Sequence, residues 1–317
     1  MNLPENLQIA LKNYIDINCE DLKKNSQEIS IKYRNNAGNN LDLLKTPTES
    51  MAYAISRMPA TFSSCCSALS HTFELLENKP KNILDIGAGT GAATWAISEL
   101  INFEHVDCFE REISMINLGK QIMTHNQQNE KIEWHQFDLR KNKLNKTYDL
   151  VIASYVLNEF TDQERLEIFK NLWNVTSDLL IIIEPGTPHN FEQIKTLRNY
   201  IINNHGNIIA PCPHSKECKL INDWCNFTSR INRLQSHKIA KQGSAPYEDE
   251  KFIYMAFSKK QTSNCKARVI RHPQYAPKLV KLKLCTQTSE IEEKIITKSN
   301  ANYKLARDLK HGDIFNI

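Results

Sequence analysis

Residues 83–97, ILDIGAGTGAATWAI, are the most informative part of this 317-residue chain. A short apolar run meets three glycines at alternate positions, Gly87, Gly89 and Gly91, and a helical pattern follows. Glycine permits a positive φ and a close backbone approach to a ligand, while an open helix end offers unpaired N–H groups. The stretch therefore predicts a strand, a tight turn and a helix start that face an anionic or polar ligand.

Strand and helix patterns alternate on the C-terminal side of the glycines. Apolar runs predict strands at residues 81–86, 105–110, 131–137, 148–154 and 179–184, with helical periodicity between them. Such alternation implies a parallel sheet with helices on both faces. Before the glycines, residues 1–78 are predicted to be helical, with one helix ending at Pro59 and another over residues 61–77.

Acidic residues close to the predicted strand ends indicate which ligand the glycine turn holds. Asp85 is placed to meet an ammonium group, Glu110 follows Gly91 by 19 residues and suits ribose hydroxyls, and Asp138 suits an adenine amine. The glycine pattern also fits NAD, but these acids favour S-adenosylmethionine, and the arrangement resembles the class I S-adenosylmethionine methyltransferase fold, which is Rossmann-like. The predicted cofactor-binding residues are Asp85, Gly87, Gly89, Gly91, Glu110 and Asp138.

Three cysteines interrupt the α/β pattern, and we interpret residues 206–243 as an insertion that carries them. Cys212, Cys218 and Cys225 are separated by five and six residues, which is wider than the usual spacing in zinc sites. Iron–sulfur clusters use four thiolates and tolerate irregular spacing. The residues alone leave three candidates for the fourth ligand: His214, Cys265 and Cys285.

Charge is distributed unevenly along the chain, whose formal net charge is +4. Residues 1–211 carry 20 Lys and Arg against 26 Asp and Glu, whereas residues 259–317 carry 13 against 5. A basic tail on an acidic body points to an anionic partner such as RNA. We therefore predict three parts: a helical region at 1–78, a methyltransferase-like domain at 79–260, and a small basic β-rich module at 261–317.

No signal peptide or membrane span is evident in the sequence, so we expect an intracellular monomer that does not bind membranes. Without an Arg- and Ser-rich leader, the bacterial cytoplasm is the expected location. The mitochondrial matrix is the alternative if the chain is the mature form of an organellar protein.

A more specific resemblance lies in the cysteine stretch. The run APCPH at residues 210–214, followed by Cys218, by Trp224 and Cys225, and by Phe227, is similar to the methyltransferase-like family that assembles small ribosomal subunits and includes mitochondrial assembly factors. Further matching segments lie at residues 57–61, 154–159, 184–188 and 247–252, and the resemblance covers roughly residues 50–315.

The resemblance implies a [4Fe–4S] site and a place on small-subunit rRNA or its assembly intermediate. Cys212, Cys218 and Cys225 match the first three cysteine positions of the family, and Cys285 matches the fourth. Two departures, Lys219 for a proline and Asn226 for a histidine, remove no thiolate.

Catalytic motifs are harder to find. The Asn/Asp-Pro-Pro-aromatic turn of amine methyltransferases is replaced by SYVL at residues 154–157, and Glu159 and Glu184 are the candidate bases. We therefore predict an assembly factor that binds S-adenosylmethionine, a [4Fe–4S] cluster and rRNA without needing to transfer a methyl group. The alternatives are an active rRNA methyltransferase and a zinc-bearing RNA-binding module.

Overall fold

The computed structural model describes residues 1–12, 46–235, 237–238, 245–260 and 265–316. The chain divides into two compact units. The first unit comprises Met1–Leu69, Lys79–Glu184 and Ser229–Glu250, and the second comprises Ser70–Asn78, Pro185–Thr228 and Lys251–Ile317. These units do not follow the predicted boundaries at 78 and 260, because the cysteine segment shares a unit with the C-terminal module. The polar stretch at residues 35–40, which we expected to break the helices, lies outside the described residues.

A parallel sheet forms the centre of the first unit. Its strands are β1 (Asn82–Ile86), β2 (His105–Glu110), β3 (Ile132–Gln136), β4 (Tyr148–Ser154) and β5 (Thr176–Pro185). They lie in the order β3-β2-β1-β4-β5, and each neighbouring pair is parallel. The helices are α1 (Glu5–Lys12), α2 (Pro47–Phe73), α3 (Ala92–Leu100), α4 (Ile113–Met123) and α5 (Asp162–Val175). The predicted α/β class I methyltransferase fold is confirmed.

The sheet is buried because helices cover it. Strand β5 contains the run Leu180–Ile183, whose four side chains have no exposed surface, and β4 is equally apolar at Leu150–Ala153. Strands that are covered on both faces need apolar residues at every position, not at alternate ones. The continuous apolar run in the sequence therefore placed β4 at its observed bounds.

Helix α2 differs from the sequence-based expectation. We predicted that one helix ends at Pro59 and that another follows, but a single helix runs through that proline. Proline removes one backbone hydrogen bond and disfavours a helix interior by about 3 kcal/mol. Here the neighbouring residues Met58, Ala60 and Phe62 are all buried, so their packing offsets the local preference.

The second unit contains β6 (Asn207–Ala210), which pairs antiparallel with the C-terminal part of β8 (Tyr247–Ser258). Helix α6 (Pro188–Asn203) precedes β6, and β7 (Phe227–Asn232) follows the cysteine segment. A separate antiparallel sheet contains β9 (Ala267–Val269), β10 (Gln274–Ala276), β11 (Leu279–Thr286) and β12 (Ile291–Thr297), and helix α7 (Tyr303–Asp308) follows it. The C-terminal module is thus β-rich, as predicted, whereas β6, β7 and β10 were not predicted.

Alternating residues of β11 form the core of the C-terminal sheet. Val280, Leu282 and Leu284 are buried together with Ile296 of β12 and with Phe315. This period of two is the signature of a strand with one covered face. No helix in the described part of the chain is both long enough and apolar enough to cross a bilayer.

Candidate functional site

The glycine turn after β1 requires glycine for two different reasons. Gly87, Gly89 and Gly91 have φ values of 68°, 58° and 85°, a region that other residues adopt only with strain. A Cβ atom on Gly87 would also lie 2.5 Å from Cγ2 of Val156, whereas one on Gly89 would meet only Met115 Cε at 3.5 Å. Gly87 therefore permits close packing inside the unit, and Gly89 keeps its surroundings open.

A cavity lies at the C-terminal ends of the parallel strands. Four of the six predicted cofactor-binding residues line it: Gly87, Gly89, Glu110 and Asp138. The Glu110 carboxylate accepts hydrogen bonds from the backbone N–H groups of Gly89, at 2.8 Å, and of Glu112, at 2.9 Å. This carboxylate therefore ties the end of β2 to the glycine turn beside the cavity.

Asp85 and Gly91 do not line this cavity. The Asp85 carboxylate is fully buried, and its Oδ2 accepts hydrogen bonds from the Thr94 backbone N–H at 3.1 Å and hydroxyl at 2.7 Å. Burial raises the pKa of Asp85 to about 6. Among the residues that the structure describes, its Oδ1 has no hydrogen-bond partner, and the predicted contact with an ammonium group stays a prediction.

Aromatic residues that the sequence analysis did not select also line the cavity. Tyr53 comes from helix α2, and Tyr155 follows β4 with a positive φ of 57°. The Tyr155 hydroxyl lies 3.1 Å from both Ser64 Oγ and Glu250 Oε1. Tyr155 is distinguished by its positive φ, and a backbone angle cannot be read from a sequence.

Glu159 and Glu184, the two candidate bases, occupy different positions. Glu159 lines the cavity, and burial together with the nearby Glu110 raises its pKa to about 7. Glu184 does not line the cavity; it accepts a hydrogen bond from the Leu157 N–H at 2.8 Å, and burial raises its pKa to about 8. A general base works best with a pKa near the working pH and with access to the substrate, so Glu159 is the better candidate.

The predicted metal-ligating cysteines gather in the second unit. Cys212, Cys218 and Cys225 lie between β6 and β7, and Cys285 lies on β11. Burial raises the pKa of the Cys285 thiol, and all three other thiols raise it further through electrostatic repulsion. The fold thus brings together four cysteines from two distant parts of the sequence.

The other two candidates for the fourth ligand are placed differently. Burial raises the pKa of Cys265, and its electrostatic neighbours are Arg268 and Glu74 instead of the thiols. His214 is buried beside the thiols, with its Nε2 atom 3.4 Å from the sulfur of Cys285. The geometry therefore favours Cys285 over Cys265, with His214 as its neighbour.

A side-chain hydrogen bond and two ion pairs hold the cysteine segment in place. Trp224 Nε1 donates to the Gly186 carbonyl at 2.9 Å. Asp223, which precedes Trp224, pairs with Arg271 and with Lys283, the latter at 3.0 Å. Because Lys283 lies two residues before Cys285 on β11, these pairs fix the segment against the strand that carries the fourth cysteine.

Comparison with known proteins places the chain in a family. A family profile described as mitochondrial small ribosomal subunit Rsm22 matches residues 47–316. The chain belongs to the Rsm22 family. The match includes the glycine turn and all four clustered cysteines, so both sites lie inside the Rsm22 region, and the resemblance seen in the sequence is confirmed.

Curated relatives are distant in sequence. The human protein named ribosome assembly protein METTL17, mitochondrial, is 22% identical over 87% of this chain and 64% of its own length. Rsm22-cox11 tandem protein 2, mitochondrial, from Schizosaccharomyces pombe is 24% identical over 85% of this chain and 43% of its own length. This Rsm22 chain therefore spans less than two thirds of the length of either relative.

Solved structures are similar at a low level. A putative RNA methyltransferase from Pyrococcus horikoshii has a TM-score of 0.41 and 15% identity, and the similarity covers 75% of this chain and 100% of that one. We therefore assign the fold from the strand order and the parallel pairing of the Rsm22 chain itself.

The separation between ligand atoms distinguishes types of metal site. Two sulfur atoms on one zinc ion are at most about 4.6 Å apart, because each Zn–S bond is about 2.3 Å. Among the described residues, the ligand atoms of His105, Asp107 and Glu133 all lie within 4.8 Å of one another. No three of the described cysteine sulfurs meet that limit. No three of the four described thiols therefore lie as close together as three thiolates on one zinc ion would.

The group around Asp107 is explained by hydrogen bonds alone. Its Oδ1 atom lies 2.9 Å from Nε2 of both His105 and His135, and its Oδ2 atom accepts from Lys146 and Tyr148 at 2.8 Å. All its acceptor sites are in use, and one is filled by an ammonium group. We interpret this group as a polar network that stabilises the sheet edge, not as a metal site.

Proposed function

We propose that this chain takes part in the assembly of the small ribosomal subunit, binding S-adenosylmethionine in its first unit and a [4Fe–4S] cluster in its second. The observation that carries the proposal is the family match over residues 47–316, which spans the cavity and the four thiols together. The human relative is named a ribosome assembly protein, which supports the same role here. The three curated relatives are named mitochondrial, which supports the matrix over the bacterial cytoplasm as the location.

The cavity in the first unit fits S-adenosylmethionine in its chemistry. Glu110 and Asp138 offer acceptors for ribose and adenine. Asp85 does not line the cavity, so its predicted contact with an ammonium group requires the ligand to reach a buried carboxylate. The carboxyl of Glu159 and the ring of Tyr53 suit the sulfonium cation. Bound there, S-adenosylmethionine would supply an electrophilic methyl group, or it would act as a regulatory ligand whose occupancy follows its concentration.

Calorimetric titration tests this cofactor assignment. We expect S-adenosylmethionine to bind and NAD to show no heat of binding. Gly89→Ala should weaken binding by about tenfold or more, because its new methyl group would occupy the open space beside the backbone. A wild-type protein that prefers NAD would contradict the assignment.

The cysteine group in the second unit fits a cluster better than zinc. A cubane carries its iron atoms at separate corners, so its thiolates are farther apart than thiolates on a single metal ion. The spread of the four cysteines and the interaction of Cys285 with the other three support this choice. A bound cluster would supply a one-electron centre and a rigid link between the cysteine segment and β11.

Anaerobic purification with iron, sulfide and absorbance analysis tests the cluster. We expect about four iron atoms per chain in the wild type. Cys285→Ser should reduce the iron content strongly, while Cys265→Ser, a buried cysteine of the same unit, should keep it. A colourless protein that contains zinc and no iron would establish the zinc-bearing alternative instead.

An rRNA partner is supported by charge. Residues 259–317 carry 13 Lys and Arg against 5 Asp and Glu. Binding through phosphate contacts releases counterions, so the affinity for small-subunit rRNA should fall steeply as the salt concentration rises. An affinity that does not depend on salt would argue against phosphate contacts.

Methyl transfer to rRNA is the second candidate function, and the position of Glu159 favours it. This carboxyl lines the cavity, and its pKa of about 7 suits a general base. Incubation with labelled S-adenosylmethionine and immature small subunits separates the two functions. Label that enters rRNA with the wild type and not with Glu159→Gln would establish the enzyme, whereas no incorporation supports an assembly factor without catalysis.

A further inference from the structure

Two buried arginines flank the cysteine group. Arg198 of helix α6 is 2% exposed and Arg268 of β9 is fully buried. Arg198 interacts electrostatically with the Cys212 and Cys285 thiols, and Arg268 interacts with that of Cys212. Both guanidinium groups therefore lie close to the cysteine group.

The same arginines hold the loop that carries Cys212. Arg268 Nε donates to the carbonyl of Pro211 at 3.1 Å, on one side of the cysteine. Arg198 Nη2 donates to the carbonyl of His214 at 3.1 Å, on the other side. Pro211, which precedes Cys212, and His214, which follows it by two residues, are thus each held by a positively charged side chain.

Arg198 has no carboxylate partner within the described part of the chain, and its partners there are backbone carbonyls, a histidine and thiols. Among the described residues, its Nε atom and the Nη2 atom of Arg268 are buried donors without an acceptor, whereas Nη1 of Arg268 pairs with Glu74 at 3.4 Å. Burying an unpaired charge costs several kcal/mol unless a compensating charge is close. The positive charge of Arg198 would therefore be compensated by an anionic group at the thiols.

We propose that Arg198 and Arg268 are positioning residues that neutralise the thiolate-bound cluster and set its reduction potential. This inference rests on the proposed function, because it needs the cluster. An oxidised cubane core with four thiolates carries a net double negative charge, which Arg198 would partly neutralise, with a smaller contribution from Arg268, whose guanidinium group also pairs with Glu74. A nearby positive charge stabilises the reduced, more negative form, so each arginine raises the potential.

An EPR-monitored redox titration of the anaerobically purified full chain tests the inference. Arg198→Gln should lower the one-electron equilibrium constant for reduction about tenfold or more, which corresponds to about 59 mV. Arg198→Lys, which keeps the charge, should restore most of that shift. Arg268→Gln should act in the same direction, and both Gln variants should lose iron to a chelator faster than the wild type.

Arg165→Gln is the matched control. Arg165 is also buried and donates to backbone carbonyls, those of Leu157 and Phe160, but it belongs to the first unit. Its loss should lower stability and leave the potential unchanged. If Arg198→Gln fails to retain the cluster while Arg198→Lys and Arg165→Gln retain it, the requirement for charge is supported.

The outcomes separate the two proposals. Wild-type protein without iron refutes both the cluster and the role of the arginines. Full iron content with unchanged potentials in Arg198→Gln and Arg268→Gln refutes only the role of the arginines. An Arg198→Lys variant that behaves like Arg198→Gln refutes the electrostatic account and leaves a purely structural role.

Discussion

Replacing Gly87 by alanine should destabilise the first unit more than the same change at Gly89. Both residues have a positive φ, so both substitutions cost about 1–2 kcal/mol in backbone strain. At Gly87 the new methyl group would also lie 2.5 Å from Cγ2 and 2.8 Å from Cβ of Val156, which adds an overpacking cost of about 1–3 kcal/mol. At Gly89 the nearest atom is 3.5 Å away, an ordinary contact, so strain alone remains.

Urea unfolding followed by tryptophan fluorescence measures this difference, because three of the four tryptophans lie in the first unit. We expect a loss of about 2–5 kcal/mol for Gly87→Ala and about 1–2 kcal/mol for Gly89→Ala. Adding Val156→Ala to Gly87→Ala removes the contact at 2.5 Å and leaves the one at 2.8 Å, so it should rescue part of the loss. Equal losses at the two glycines, or no coupling to Val156, would refute the packing argument.

Three further predictions concern buried carboxyl groups. Burial raises the pKa of Glu184 to about 8, so the folded state keeps a proton that the unfolded state releases, and stability should fall as the pH rises from about 4.5 to 8. Glu184→Gln should remove that decline in urea unfolding at pH 5 and pH 8, and an unchanged decline would contradict it. Against the effect of burial, hydrogen bonds from Lys146 and Tyr148 hold the pKa of Asp107 well below its usual range. Its contribution is present above about pH 4 and is lost in acid, so Asp107→Asn should lower the unfolding free energy at pH 7 far more than at pH 2; equal losses at both pH values would argue against this. Ionisation of Glu159, whose pKa is about 7, should strengthen calorimetric binding of S-adenosylmethionine between pH 6 and pH 8, and Glu159→Gln should abolish that pH dependence; if the variant keeps it, another group is responsible.

Local patterns predicted most of the α/β unit. Strand β4 was placed at its observed bounds because a covered parallel strand must be apolar at nearly every position, and the sequence displays this directly. Strand β6 was missed because its four residues are too short to give a pattern. The continuous helix α2 was missed because buried neighbours of Pro59 outweigh a local helix-breaking preference.

The residues of the cavity also differ in whether the sequence could select them. Gly87, Gly89, Glu110 and Asp138 could be selected from sequence because their positions relative to strand ends place them at one edge of a parallel sheet. Glu159, selected from the sequence as a candidate base, also lines the cavity. Tyr53 could not be selected, because it comes from a helix whose sequence carries no recognisable site motif.

The sequence by itself determined which chemistry is available: a glycine turn for a nucleotide-like ligand, thiols for a soft metal centre, and a basic tail. Tertiary structure alone decided which groups meet. It placed Cys285 of β11 among the thiols and set Arg198 and Arg268, which have no distinctive sequence context, in the buried space beside Cys212. The physical reason is the separation along the sequence between the interacting residues. Turns and strands follow from neighbouring residues, whereas a buried charge and its partner meet only after distant parts of the chain have folded together.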